Sequence, residues 1–343
     1  MKGSLIALGR IGDREVAALV VDGVLQDLAH EEDGLAPGAI LRGVVGRPVK
    51  GLGGVFVDLP DGEKGFLRAP KGLAPGQRVL VQVSGAAEPG KALPLTQRLL
   101  FKSRYAIITP EAPGLNVSRA IRDEDLRTEL TKLATEAMKG AEPGLGLILR
   151  SVCETASDED IAEDIAQMRG LAEAVLADLD GAAELLVDAP GPHELAWRDW
   201  GDADEVDESD EALDHSGALD QIAALRSPEV RLDGGGSMWI ESTRALVAVD
   251  VNTGADTSPA AGLKASIAAA RDLPRQLRLR GLGGMVLVDF APCPKRDRHV
   301  VEQVLGKAFR ADAGEAALAG WTPLGNFELT RRRDRAPLPA WLA

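Results

Sequence analysis

With 343 residues, 45% of them hydrophobic and 27% charged, the chain is long enough to bury several cores and suits two or three domains rather than one. It has no run of about 18 or more apolar residues, and Met1-Lys2-Gly3 leads straight into a strand-like segment, so a cytoplasmic protein with no membrane partner is expected. Two cysteines, Cys153 and Cys293, are too few for a four-thiolate zinc site or a disulfide framework and read as core or near-core thiols. A net charge of −14 argues against nucleic acid as a partner, but the acid is concentrated in 154–164 and 199–214. The stretch from Lys264 to Arg335 is rich in arginine.

Short strands are expected at 4–9, 15–21 and 24–28, the last two joined by the hairpin dipeptide Asp22-Gly23. Pro37-Gly38 opens a new unit with five strand-like runs, 39–46, 53–59, 64–67, 78–83 and 92–96, separated by turns at 51–54, Asp61-Gly62, Pro75-Gly76 and Pro89-Gly90. Five short strands at this spacing suggest a small antiparallel barrel such as an OB fold. Phe56 and Phe66 stand out in a chain with 3% aromatics. They either fill the barrel core or serve as stacking platforms for single-stranded bases. Gly85 to Lys91 mimics a phosphate-binding loop, but Ala92 stands where a hydroxyl must meet the metal and Pro94 where a helix should begin, so it is rejected.

Helices are expected over 122–139, started by Asp123 and stopped by Gly140, and from Ser157 to about Leu179. Between them a strand, 145–152, ends in Arg150-Ser151, and Leu185-Leu186-Val187 is one more. The acidic stretch 199–214 reads as an exposed or disordered loop, followed by a short helix over 214–225. A glycine turn, 234–236, then leads into a strand over 237–242.

Two apolar runs follow, Leu246 to Gly254 and Met285 to Phe290, and each delivers a carboxylate, Asp250 and Asp289. An ionised Asp in a buried strand needs a partner, a metal, or exposure at the strand end. Alternation puts Asp250 and Asn252 on one face, and two carboxylates with an amide are hard oxygen ligands of the kind Mg²⁺ favours when phosphates complete its shell. The helix between them, about 261–280, is interrupted by Pro274, which should kink or split it, and is capped by Gly281. Arg271, Arg275 and Arg278 form a stripe on it that would follow an RNA backbone, or else an ordinary solvated face. A last helix runs from Lys295 to Phe309, and the whole region reads as an α/β sheet with ligands at its strand ends.

Together, Glu229 to Ser237, Ala248-Val249-Asp250-Val251-Asn252, Arg275 to Arg280 with Leu282-Gly283-Gly284, and Val288-Asp289-Phe290 resemble the catalytic part of the ribonuclease E/G family. The stretch Gly53 to Phe56 with Gly65-Phe66-Leu67 resembles that family's S1-type RNA-binding barrel. The resemblance runs in order from residue 1 to about 333. It implies a mixed α+β and α/β multidomain fold: an RNase H-like domain (1–36 with 179–225) interrupted by an S1-type OB barrel (37–100) and a 5′-sensor-like α/β region (101–178), then a DNase I-like catalytic α/β domain (226–343). The implied activity is endonucleolytic cleavage of single-stranded RNA with Mg²⁺, Mn²⁺ being a substitute. Asp250 and Asp289 match the metal-binding aspartates, and Asn252 the amide that orients the first. Phe56, Phe66, Lys91 and Arg119 match RNA contacts, and Ser103, Ile107, Arg150 and Ser151 the pocket that senses a 5′-monophosphate.

Some positions depart from the family pattern. Pro292, Ser266 and Ala268 replace an Asp, an Asn and a Glu near the metal site, Ser103 replaces a glycine, and Ala120 removes one member of an arginine pair. A Cys-x-x-Cys is missing after the catalytic part, so no structural zinc is expected, and a monomer or a zinc-independent dimer is. Two other functions compete with the endoribonuclease: a non-catalytic RNA-binding or regulatory relative, and a small-nucleotide phosphohydrolase, which leaves the barrel without a role.

Overall fold

The computed structural model describes residues 2–68, 72–88, 90–201, 203–312 and 314–342. It divides into two compact units, Met1–His30 with Glu205–Ala343, and Glu31–Asp204. The first unit opens with a meander of β1 (Ser4–Ile11), β2 (Arg14–Val21) and β3 (Val24–His30). The turn between the last two strands has Asp22 at φ 49° and Gly23 at φ 78°, the paired positive values of a type I′ hairpin.

The second unit begins with a barrel of β4 (Ile40–Val49), β5 (Gly54–Asp58), β6 (Lys64–Arg68), β7 (Arg78–Val83) and β8 (Leu93–Thr96). The strand order β4-β5-β6-β8-β7 closes through a further β4–β7 ladder, so all five expected runs build one OB-like barrel. Its core holds Leu41, Val55, Val57, Leu67, Val81 and Leu95. Residues 84–88 and 90–92 form an irregular connection to β8, with no helix among these described residues, consistent with rejecting the phosphate loop; Pro89 of the expected turn lies outside the described residues.

The rest of this unit is a four-stranded sheet, β9 (Phe101–Lys102), β10 (Ala106–Thr109), β11 (Gly114–Val117) and β12 (Gly146–Leu149), backed by α1 (Glu124–Ala137) and α2 (Asp158–Ala177). Both helix starts fall where capping residues stand: the Asp123 carboxylate accepts from the N–H groups of Asp125 and Leu126, and the Ser157 hydroxyl from that of Asp160. β13 (Glu184–Val187) pairs with β4, Leu185 opposite Leu41. Cys153 is buried in this core, and burial pushes its thiol up to about 11. A helix not expected from the sequence, α3 (Pro192–Asp199), closes the unit with Pro192 in its first turn.

Back in the first unit, β14 (Glu205–Asp207) pairs in parallel with β1, Leu5 opposite Glu205. The acidic stretch is therefore not a loop throughout: backbone pairing needs no apolar side chains, so composition did not report it. The expected helix over 214–225 is two pieces, α4 (Ala212–His215) and α5 (Ala218–Ala224), separated at Gly217 with φ 68°.

A six-stranded sheet follows, made of β15 (Glu229–Arg231), β16 (Ser237–Ser242), β17 (Val247–Asn252), β18 (Gly284–Asp289), β19 (Ala316–Trp321) and β20 (Phe327–Arg331) in the order β15-β16-β17-β18-β20-β19. Only β17 and β18 are parallel, joined by α6 (Ala261–Leu279); α7 (Arg298–Ala311) follows β18. Both helices cover one face, where Leu273, Leu277, Val301 and Leu305 meet Val249, Val251, Val286 and Val288. Pro274 does not split α6, which runs on to a C-terminus where Gly281 has φ 60° and the Leu282 N–H reaches the Leu277 carbonyl.

Asp312 and Arg331 are almost wholly buried, 2.9 Å apart, and Asp312 also pairs with Arg278. Asp312→Ala strands both guanidiniums without that counter-ion and is expected to cost about 3 to 5 kcal/mol in urea unfolding; a loss under about 1 kcal/mol would show the pair to be dispensable.

Candidate active site

Along β17, Val247, Val249 and Val251 point into the core while Asp250 and Asn252 are exposed. β18 repeats the pattern, with Val286 and Val288 buried and Asp289 exposed at its last residue. Asp250 and Asp289 are register partners, so their carboxylates leave the same face of two strands spaced about 4.8 Å apart. The Asn252 side-chain amide donates to the Asp250 Oδ2 at 2.8 Å, which fixes that carboxylate's orientation.

Backbone close approaches hold the ends of these strands. A Cβ on Gly236 would lie 2.5 Å from the Asn252 carbonyl oxygen, and one on Gly254 2.3 Å from that of Gly235. The glycine turn thus lies flat against the end of β17. After Asp289, the buried Ser266 hydroxyl donates to the Ala291 carbonyl at 3.3 Å, and a Cβ on Gly262 would meet the Pro292 carbonyl at 1.9 Å. Ser266, one of the departures from the family pattern, therefore ties α6 to the loop that follows the second carboxylate.

The donor set suits a hard divalent cation. Among the described residues no lysine or arginine pairs with Asp250 or Asp289, and two exposed carboxylates side by side repel each other unless a cation lies between them. Among the described residues no cluster of three or more His, Cys, Asp or Glu forms a closed metal cage. A pair of carboxylates is nonetheless what Mg²⁺ ordinarily takes from protein, keeping waters and phosphates for its other positions.

The other sequence-predicted positions fare differently. Phe56 and Phe66 are register partners on the outer face of the barrel, half-exposed, with ring centroids 5.4 Å apart edge to face. They do not belong to the barrel core. Gly54 makes room for Phe66, since a Cβ there would sit 2.5 Å from the ring. Lys91 is exposed and 2.8 Å from Glu88. The arginine stripe of α6 does not form a common free face. Arg275 pairs with Asp272 at 2.6 Å and donates to the Leu25 carbonyl; Arg278 donates to the Gln26 carbonyl and pairs with Asp312, and burial lowers its pKa. Arg271 is exposed and, among the described residues, has no partner.

Ser103, Arg150 and Ser151 come together beyond the ends of β10 and β12, with Ile107 two residues from the junction. The Arg150 guanidinium, however, donates to the carbonyls of Ser103 (2.6 Å), Arg104 (3.2 Å) and Arg198 (2.8 Å) and to the Asp199 carboxylate (2.8 Å). The Ser103 hydroxyl lies 2.5 Å from the Asp164 carboxylate. Asp199 is also 2.6 Å from Lys102 and 3.0 Å from Arg198. Burial pushes the Asp199 carboxyl up, but Arg198 and Lys102 outweigh it and bring it from 3.8 down to about 2. Arg119 lines a shallow concavity of about 290 Å³ together with Arg122, Arg127 and Glu124.

The model of the ribonuclease E/G family matches residues 101–209 and 201–334. The chain belongs to this family. It is 31% identical to ribonuclease E of Nostoc sp. over 93% of this chain and 54% of that protein. It is 29% identical to ribonuclease G of Salmonella typhimurium over 93% of this chain and 77% of that protein. To ribonuclease E of Escherichia coli it is 29% identical over 76% of this chain and 28% of that protein. The chain thus spans about half the length of the cyanobacterial ribonuclease E it matches.

Asp199, Asp164 and Arg122 were not singled out in the sequence, nor was Trp239, which is exposed on β16 beside β17. The two aspartates sit in acidic stretches where nothing marks one carboxylate as inward-facing. Trp239 carried a legible signal: it occupies the polar phase of an alternating strand, between buried Met238 and Ile240.

The low Asp199 pKa sets a pH dependence. Folding depresses it, so its stabilising contribution is complete above about pH 4 and is lost as pH falls through about 2. Unfolding free energy measured from pH 5 to pH 2 is expected to fall more steeply for wild type than for Asp199→Asn. Parallel slopes would contradict the assignment.

Proposed function

We propose that the chain is a divalent-metal-dependent endoribonuclease that cuts single-stranded RNA at Asp250 and Asp289. The observation that carries this reading is their shared register row, with Asn252 bonded to Asp250 and no basic partner on either carboxylate among the described residues. The family's relatives bear the names ribonuclease E and ribonuclease G, and that is the activity this donor set suits. Mg²⁺ or Mn²⁺ held there would supply a water of lowered pKa and positive charge against the scissile phosphate. The protein's own part is positional. Asp250 and Asp289 would hold the cation, Asn252 keeps the Asp250 carboxylate from rotating, and the Ser266 bond keeps the loop after Asp289 in place.

In this reading the edge-to-face Phe56–Phe66 pair stacks unpaired bases, with Lys91, Arg119 and Arg271 contacting phosphates. The finer division into RNase H-like, end-sensing and DNase I-like domains belongs to the same proposal. End sensing at Ser103, Ile107, Arg150 and Ser151 requires a 5′-phosphate to displace Asp199 from Arg150.

A second reading, a non-catalytic RNA-binding relative, is favoured by Ala268, Pro292 and the structural use of Ser266.

Asp250→Asn and Asp289→Asn are each expected to reduce cleavage of a single-stranded oligonucleotide in Mg²⁺ by about a thousandfold with unchanged melting temperature, several kcal/mol of transition-state stabilisation being lost. RNA binding without cleavage by wild type in any divalent metal would establish the second reading instead.

On the same assay, 5′-monophosphate and 5′-hydroxyl substrates are expected to differ by no more than about threefold, because phosphate binding exchanges one charge-assisted contact for another. Asp199→Asn should widen the gap. A large preference in wild type that Arg150→Ala abolishes would show Arg150 free to bind the 5′ end.

A further inference from the structure

Trp239 is 40% exposed on β16, the strand next to β17. It is the register partner of Asp250, which is the register partner of Asp289. The three side chains therefore occupy successive positions of one row, on the sheet face opposite α6 and α7. With about 4.8 Å between strands, the indole is rooted one strand from the first carboxylate. Among the described residues it makes no ring or cation contact, whereas Trp321 packs against Phe290 and Phe327 and Trp341 takes an edge contact from His30.

Its surroundings are polar. Ser237 and Glu241 flank it on the same face of β16, and Glu229 stands opposite it on β15. A tryptophan isolated among such groups is poorly placed to anchor a broad apolar interface, where aromatic and aliphatic groups gather. It is well placed to offer one flat π-face.

We propose that Trp239 is a base-stacking platform of the carboxylate site, receiving the unpaired base of a nucleotide next to the scissile phosphate. The inference rests on the endoribonuclease reading and adds a substrate contact to it. A phosphate brought to Asp250 and Asp289 by a cation would leave its neighbouring base one sugar away, and Trp239 is rooted one strand spacing, about 4.8 Å, from Asp250. Stacking on an indole requires the base to leave any duplex, so the residue makes the site selective for single strands. It tolerates any base and favours purines, whose larger rings cover more of the indole.

The test uses the full chain and a fluorescent single-stranded oligonucleotide with one cleavage site, in Mg²⁺, against Trp239→Ala and Trp239→Phe. Trp239→Ala is expected to raise KM about tenfold at unchanged melting temperature, and Trp239→Phe to recover most of the loss. An abasic nucleotide scanned along the substrate should slow wild type at one position beside the cut and leave Trp239→Ala indifferent there. Equal kinetics for Trp239→Ala and wild type, or penalties that simply multiply, overturn the proposal. A change in oligomeric state with an unaltered abasic profile also overturns it, assigning the face to a second copy of the chain.

If wild type cuts no RNA, the parent reading fails separately, and indole emission then decides the stacking. Quenching by single-stranded RNA that Trp239→Phe loses supports it. Quenching that Trp239→Phe retains, or none at all, refutes it.

Discussion

The register of β17 against β18 is the constraint on which the candidate site depends. A slip of one residue between strands would send one carboxylate into the valine core, because side-chain direction alternates at every position. The register is fixed from below. Val249 and Val288 are paired, both fully buried, and packed under α6 and α7, so the exposed row inherits its alignment from the apolar one. The parallel pairing follows from α6, since a crossover helix is what brings two consecutive strands side by side in the same direction. The carboxylate pair is thus a consequence of how the core packs on the opposite face.

The same logic orders the barrel. Val55, Val57 and Leu67 fill its interior, which forces Phe56 and Phe66 outward in the opposite phase and into register with one another. In both units an aromatic on the outer phase of a strand stands over a face whose inner phase is aliphatic. Exposed aromatics in such positions give up burial that would stabilise the fold, and in the proposed reading binding regains it.

Much of this was legible in the sequence where periodicity carried the information. The five barrel runs, the capped helices begun at Asp123 and Ser157, and the two valine strands announce themselves by alternation, caps and turns. β14 could not be read, because Glu205, Val206 and Asp207 join the sheet by backbone pairing with β1 and bury little. Nor could α3, whose apolar positions are few. Pro274 misled because the first unit supplies packing on both sides of it, with Leu273 and Leu277 fully buried, and that packing holds the helix together through the missing hydrogen bond. Asp250, Asn252 and Asp289 were visible as types and positions, but the row that joins Asp250 and Asp289 to Trp239 needed the antiparallel register of β16, which no local pattern encodes.

The arginines show where composition misleads. The basic stretch toward the C-terminus suggested a phosphate-binding surface, yet Arg278 and Arg331 neutralise Asp312 in the interior and Arg335 neutralises Asp27. In the second unit Arg42 is spent on Asp178 and Glu184, and Arg150 and Arg198 on Asp199. An acidic chain has carboxylates to spare, and burying an arginine demands one, so these guanidiniums serve as counter-ions, while others such as Arg119, Arg122 and Arg271 stay exposed. Each guanidinium used in this way is one fewer to neutralise the phosphates of a polyanion. In the proposed reading affinity for RNA comes from a cation held by Asp250 and Asp289 and from the exposed faces of Phe56, Phe66 and Trp239, with Lys91, Arg119 and Arg271 adding to them.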